Sequence, residues 1–299
     1  MRSTTRRFTL IVNPAAGNGR ADRVAAEAQR LLAGTDGGCA LVRTTHLAQA
    51  GQLAREAAEE GRLAVAVGGD GLVGRVAGAL AFTDGLMGVL PCGRGNDIAG
   101  FLGVSVRLTE ACRVLTAGVE RRIDLAEVNG QRFASIASGG IDSAVNAIAD
   151  RTRFLDGRAV YTYAAFRALA VWRQAEFRLD AGGETITYTG FSFGVANGTT
   201  YGGGMRLAPD ARVDDALLDV VSISHMSKLR ALRAFPRMYR GTHLREPAVT
   251  VRRVAEVSVE ADRDFMVYAD GEPVTRLPAV FKALPQALRI LVPAQATRA

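Results

Sequence analysis

The chain has 299 residues, 48% hydrophobic and 22% charged, enough for one large α/β domain or two ordinary ones with a substantial core. Three widely spaced cysteines (Cys39, Cys92, Cys112) exclude a disulfide framework, and with three scattered histidines (His46, His225, His243) they argue against a zinc site. A net charge of +7, from 37 Lys+Arg against 30 Asp+Glu, favours acidic partners such as nucleotide phosphates, anionic lipid headgroups or nucleic acid without choosing among them.

The first 125 residues alternate between short β-like runs and helical patterns. FTLIVNP (8–14) reads as a buried strand and ADRVAAEAQRLLAG (21–34) as a helix with a glycine stop. ALVRTT (40–45) and LAQAGQLAREAAEEG (47–61) repeat the pair, followed by LAVAV (63–67) with GRVAGALAF (74–82), then GLMGVLP (85–91) with VRLTEACRVLTAG (106–118). Strand alternating with helix implies crossover connections and a mostly parallel sheet with helices on both faces.

After about Asp124 the strand-like runs crowd together: RRIDLAEVNG, QRFASIAS, ETITYTGFSFGVANG, LLDVVSIS, AVTVRRVAEVSVEA, DFMVYADGEPV and LRILVP. One helical stretch, about 143–173, interrupts them, and VNG (128–130) and GGET (182–185) read as hairpin turns. The expected fold is an α/β N-terminal domain over 1–124 and a β-rich antiparallel sandwich over 125–285, with a nucleotide cleft between them. The final strand, about 286–294, is expected to return to the first domain. The longest apolar run, 159–172, is interrupted by Arg167, so no membrane span is expected. With no secretory h-region at the N-terminus, the expected location is cytoplasmic.

Three glycine-rich loops follow parallel strands. Gly69-Asp70-Gly71-Leu72-Val73-Gly74 is literally G-x-G-x-x-G, but a dinucleotide reading meets three objections. The strand before it is the third, the next strand ends at Pro91 without a ribose-binding acid, and Asp70 would repel a pyrophosphate. The other loops are Asn13-Pro14-Ala15-Ala16-Gly17-Asn18-Gly19-Arg20 and Leu90-Pro91-Cys92-Gly93-Arg94-Gly95-Asn96-Asp97. In open α/β sheets ligands bind at the carboxyl ends of strands, so the three loops should share one edge, where backbone N–H groups and helix N-termini favour phosphate.

These loops resemble those of the diacylglycerol kinase catalytic domain family, which includes bacterial lipid kinases and sphingosine kinases and is distantly related to NAD kinases and phosphofructokinases. The family pattern N-P-x-x-G-x-G, G-G-D-G-T, L-P-x-G-T-x-N-D is matched by Asn13-Pro14 through Gly19, Gly68-Gly69-Asp70-Gly71, and Leu90-Pro91 through Asn96-Asp97. The likeness continues through Ile123-Asp124-Leu125, Phe133 to Gly140, Tyr201-Gly202-Gly203-Gly204, Pro209, Ala211, Asp215, Leu218-Asp219-Val220 and Asp270-Gly271-Glu272. It thus spans nearly the whole chain in order. Four positions depart from the pattern: Leu72 and Arg94 replace threonines, Arg75 stands where an acid is common, and Ala216 replaces the glycine after Asp215. Arg94 can supply a phosphate-binding guanidinium in compensation; Leu72 cannot replace the lost hydroxyl.

The resemblance implies an ATP-dependent lipid kinase that transfers the γ-phosphoryl group to a lipid hydroxyl. Nucleotide contacts would come from Asn13, Pro14, Gly17, Gly19, Gly68, Gly69, Asp70, Gly71, Gly93, Arg94, Asn96 and Asp97. Asp70, Asp97, Asp124 and Asp215 would serve a magnesium network, Asp215 at a second, structural cation. Asp270 would act as general base, with Glu272 two residues on, on the same face if the segment is a strand. Read without the family, Ala-Asp-Gly-Glu is ordinary hairpin-turn sequence and Asp97 a helix N-cap.

Arg230, Arg233, Arg237 and Arg240 step along one helical face, either a solvated face or a docking surface for anionic membrane, and Pro236 should kink or end that helix. The expected partners are a lipid acceptor in an apolar pocket in the cleft, lined partly by 143–173, and a membrane surface, with no nucleic acid; a homodimer is compatible. The alternatives are a kinase of a soluble polyol, or a weakly active nucleotide- or lipid-binding protein of the same fold, the latter motivated by Leu72.

Overall fold

Short runs buried on both faces, such as LAVAVG, are what a parallel sheet covered by helices requires, and they form its centre. The computed structural model describes residues 6–14, 16, 19–34, 37–152, 154–155 and 158–294. It divides into two units, Met1–Ile123 with Gln286–Ala299, and Asp124–Pro285.

In the first unit the elements run β1 (Phe8–Val12), α1 (Arg20–Leu32), β2 (Cys39–Arg43), α2 (Gln49–Glu59), β3 (Leu63–Gly68), α3 (Asp70–Leu80), β4 (Leu86–Pro91), α4 (Asp97–Phe101) and α5 (Leu108–Ala117). β1 lies between β2 and β3, β3 beside β4, and residues 289–290 pair with β4; every one of these pairings is parallel. α1 buries Ala21, Ala25, Ala28 and Leu32, a stripe at helical spacing, and packs on α5, while α2 packs on α3. α3 starts at Asp70 rather than at Gly74, so Asp70 and Gly71 belong to the helix's first turn, where a carboxylate suits the helix dipole.

The second unit begins within β5 (Val119–Val128), which turns through Asn129-Gly130 into β6 (Gln131–Phe133). Then follow β7 (Ile136–Gly140), α6 (Ile141–Arg151), α7 (Arg158–Val171), β8 (Ala175–Ala181), β9 (Glu184–Ala196), β10 (Leu218–Ser224) and α8 (Lys228–Met238). A 3₁₀ turn (Thr242–Arg245) leads to β11 (Val249–Val254), β12 (Glu256–Ala261), β13 (Met266–Ala269), β14 (Glu272–Arg276) and β15 (Ala279–Val292). Antiparallel pairing gives the path β14-β13-β7-β9-β8-β12-β15, with β10 joining β9 to β11. The strands enclose a core in which Phe177, Phe193, Phe265 and Phe281 pack as aromatic neighbours.

The helical stretch expected over 143–173 is two helices, α6 and α7. β8 appears where no strand was expected, although AEFRLDA alternates buried and exposed from Ala175 to Leu179. DFMVYADGEPV, read as one run, is two strands reversed at Asp270-Gly271. Pro236 lies inside α8, which ends two residues later at Met238. Among the described residues, no helix is long and apolar enough to cross a membrane.

Candidate functional site

The parallel register aligns Val12 with Val67 and Gly68 with Pro91, so the loops after β1, β3 and β4 leave the same edge of the sheet. The β3 and β4 loops touch through their backbones. A β-carbon on Gly93 would lie 2.3 Å from the Gly69 α-carbon, an approach only glycine permits. Asn96 fastens the second loop: its Oδ1 accepts the Gly93 N–H at 2.7 Å and its Nδ2 donates to the Gly93 carbonyl at 2.9 Å. Asn96 itself holds the left-handed conformation (φ 57°), which asparagine tolerates, and is the N-cap of α4. Asp97 is therefore the first helical residue, not the cap, and it is buried.

Asp70 turns toward the other loop and its Oδ1 accepts the Ile98 N–H at 2.8 Å. Burial pushes its carboxyl above the ordinary range, against the pull of the Ile98, Asp97, Asn96 and Asp70 N–H groups. The carboxylate thus joins the β3 loop to the start of α4. Leu72 is 3% exposed, and a β-carbon at Gly68 would stand 2.7 Å from its Cδ2, so this side chain folds inward over the end of β3. Arg75 is exposed, whereas Arg94 is half-buried beside Gly93. At the first loop the Asn13 carbonyl accepts the Ala16 N–H, Pro14 is half-buried, and Gly19 caps α1 at φ 83°. Gly17 lies outside the described residues.

In the second unit Asp124 is 1% exposed and its Oδ2 accepts the Ala216 N–H at 2.7 Å. Asp215 closes a local turn, its Oδ1 accepting the Leu217 N–H at 3.1 Å. Ala216 between them holds φ 61°, the left-handed conformation that the family's glycine would adopt without strain. Nearby, buried Asp219 pairs with Arg253 at 3.1 Å; burial raises its carboxyl while Arg253 opposes.

Asp270 and Gly271 have φ 51° and 84°, so they are the two central residues of a β13–β14 hairpin turn. The expectation that Asp270 and Glu272 share a strand face is corrected: Asp270 sits in the turn, and Glu272 opens β14 opposite Ala269. The turn aims the carboxylate at the β6–β7 link. Oδ2 accepts the Ala134 N–H at 2.7 Å and Oδ1 the Ser135 N–H at 2.8 Å. One N–H donor on each carboxylate oxygen fixes the orientation of the group.

Among the described residues, no group of three or more His, Cys, Asp or Glu side chains is placed to hold a metal ion. Within the first unit Asp70 is joined to the start of α4, and within the second Asp124 is joined to the Asp215-Ala216 turn. That donor chemistry suits magnesium, which is commonly held by one or two carboxylates plus substrate phosphates.

A cavity of about 110 Å³, partly open to solvent, lies wholly within the second unit among α6, α7, α8 and the sheet. Tyr161, Phe166 and Leu169 of α7 and Leu232, Phe235 and Met238 of α8 contribute its apolar walls. Asp142 and Tyr201 form a polar spot in it, with the Tyr201 hydroxyl donating to Asp142 Oδ2 at 3.4 Å. Burial lifts the Asp142 carboxyl to about 7, against hydrogen bonds from Tyr201 and Ser138. Sequence reasoning missed Asp142; its signal is the single acid in SGGIDSAV, directly after the glycines that end β7.

The chain's two halves match two family models: the diacylglycerol kinase catalytic domain over residues 7–128, and the YegS C-terminal NAD kinase beta sandwich-like domain over 135–292. A diacylglycerol kinase of Mycobacterium tuberculosis is 34% identical over 297 residues, covering 96% of this chain and 95% of that protein. The chain belongs to the diacylglycerol kinase-like lipid kinases. Another relative, a diacylglycerol kinase of Bacillus subtilis, is 28% identical over 255 residues, covering 84% of each chain. A crystal structure of a diacylglycerol kinase from Bacillus anthracis shares the fold, with a TM-score of 0.75 at 19% identity over 97% of this chain and 98% of that one. As a family member the chain is a phosphotransferase, and its two-domain fold is that of its structural neighbours.

Proposed function

We propose that this lipid kinase transfers the γ-phosphoryl group of ATP to the hydroxyl of a diacylglycerol-like lipid, with Asp270 as general base. The acceptor oxygen attacks the γ-phosphorus, the bond from that phosphorus to the β–γ bridging oxygen breaks, ADP leaves, and the hydroxyl proton passes to Asp270. The first unit's loops supply N–H groups for the nucleotide. The side-chain-free meeting of Gly69 and Gly93 lets a phosphate approach the backbone, with Arg94 beside it. Magnesium, carried with the triphosphate, would be reached by Asp70 and Asp97 and would neutralise charge on the phosphates. Asp124 and Asp215 would serve a structural cation or its water shell.

The cavity of the second unit is the observation that carries the lipid reading. Its walls are apolar side chains of α7, α8 and the sheet, and Asp142 with Tyr201 offers a polar group for an acceptor headgroup. A soluble polyol would leave those walls without a partner.

The proposed membrane contact uses two of the four arginines of the stripe, Arg233 and Arg240. Arg230 and Arg237 both pair with Glu246, whose side chain is only 10% exposed, so these two charges are already engaged. Leu229, Leu232 and Arg233 are exposed on α8, and Arg240 is exposed in the turn two residues beyond its end. Phe166 and Leu232 both line the cavity and reach the surface, so the cavity opens beside this face. Apolar side chains mixed with arginines suit an anionic bilayer surface.

The test is purified protein with γ-labelled ATP and magnesium against diacylglycerol, phosphatidylglycerol, a ceramide-like base and an isoprenoid alcohol in mixed micelles, with soluble polyols alongside. A labelled lipid is expected. Label only in a polyol, or ATP binding without labelled product, would favour the alternatives.

A further inference from the structure

The Ala134–Ser135 segment is gripped from two sides. Its two N–H groups go to the Asp270 carboxylate, as described. Its two carbonyls go to Asn197. The Asn197 Nδ2 donates to the Ala134 carbonyl at 2.8 Å, and the Asn197 backbone N–H donates to the Ser135 carbonyl at 2.8 Å. The other Nδ2 hydrogen goes to the Asp124 carbonyl at 3.0 Å. Asn197 has no solvent exposure.

Three features mark this amide as more than core filling. Its orientation is forced, because a flip would set Oδ1 against two carbonyl oxygens. Its Oδ1 is buried with no hydrogen-bond partner, a cost that an apolar residue of similar size would avoid. And the bonds it makes lead to two acidic positions: to Asp270 through the Ala134–Ser135 amides, and to Asp124, whose carboxylate fixes Ala216.

We infer that Asn197 is a positioning residue for Asp270, holding the Ala134–Ser135 backbone so that its two N–H groups aim the carboxylate. The inference rests on Asp270 being the base. Asn197 touches no reacting atom; it sets the direction in which the Asp270 carboxylate is presented. Ser135 shares the task from the other end, since its hydroxyl donates to the Thr200 carbonyl at 2.7 Å and ties the segment to the loop that follows Asn197.

A double-mutant cycle on the full chain tests this, with kcat and both KM values measured on diacylglycerol micelles and ATP. Asn197→Ala should lower kcat by roughly 30-fold while each KM stays within about 3-fold. In the Asp270→Asn background the same change should cost less than about 3-fold in kcat, because the carboxylate it positions is gone. Multiplicative losses in the double mutant, or a kcat unchanged by Asn197→Ala, would overturn the inference. If Asn197→Ala does not fold, the cycle is run with Asn197→Ser, whose hydroxyl can serve only one of the two carbonyls; its smaller kcat loss should likewise vanish in the Asp270→Asn background, and its persistence there would overturn the inference. Asp270→Asn alone separates the layers: if that variant keeps full kcat, the base assignment has failed, whatever Asn197 does.

Discussion

Gly93 approaches Gly69 so closely that a β-carbon on it would stand 2.3 Å from the Gly69 α-carbon. Two loops from neighbouring parallel strands therefore meet without a side chain between them, and Asn96 and Asp70 hold them there. Gly93→Ala must push the segments apart. We expect it to weaken ATP binding by at least about 10-fold and to destabilise the chain by about 1–3 kcal/mol. Calorimetric titration with ATP and thermal unfolding check both, and unchanged ATP affinity would show that the apposition does not shape the nucleotide site.

Ala216 at φ 61° offers a prediction of opposite sign. A left-handed alanine carries strain of about 1–2 kcal/mol, while glycine there gives back part of that gain through its freer unfolded chain. Ala216→Gly should stabilise the protein by about 0.5–1 kcal/mol in urea unfolding. A loss of stability would mean that this turn gains nothing from relief of its backbone.

The fold was legible where the chemistry is local. Fully buried runs such as FTLIV and LAVAV, and helices stopped by glycine, give themselves away by composition and period. The glycine loops were legible for the same reason, since each must turn a chain end at one sheet edge. What stayed hidden is non-local. Nothing near Asp270 announces that its carboxylate binds the amides of Ala134 and Ser135, or that Glu246 takes both Arg230 and Arg237. Asp-Gly was an ordinary turn signal and is indeed a turn; the turn is what aims the acid. Leu72, which the resemblance marked as a missing hydroxyl, proves to be buried packing over Gly68, a role no motif encodes.

Asp142 contributes a pH dependence. Its carboxyl is raised to about 7 in the folded state, from 3.8 for the free side chain. The folded chain then binds more protons than the unfolded one between those values, so stability falls as pH rises from about 4 to 7. Asp142→Asn should remove its share of that slope, beside those of Asp70 and Asp219, and, at pH 8, stabilise the protein by on the order of 1–3 kcal/mol, allowing for partial exposure to the cavity. Denaturant melts at pH 5 and pH 8 decide it; an undiminished slope in the variant would place the titration elsewhere.

The proposed docking face separates two pairs of arginines. Arg233→Glu with Arg240→Glu should cut sedimentation with phosphatidylglycerol-containing vesicles by roughly 10-fold and leave thermal stability within about 0.5 kcal/mol. Arg237→Glu should instead destabilise the chain, because it sets a second acid against Glu246. Equal vesicle binding by the Arg233/Arg240 variant would remove α8 from the membrane contact.

The most direct test of the central claim is single-turnover phosphorylation of diacylglycerol by the wild type and by Asp270→Asn, with ATP affinity and melting temperature measured on the same samples. The account predicts a phosphorylated lipid from the wild type and a rate lower by roughly 10³-fold in the variant, with ATP affinity held within about 3-fold. A variant that folds, binds ATP and phosphorylates the lipid at the wild-type rate would contradict it.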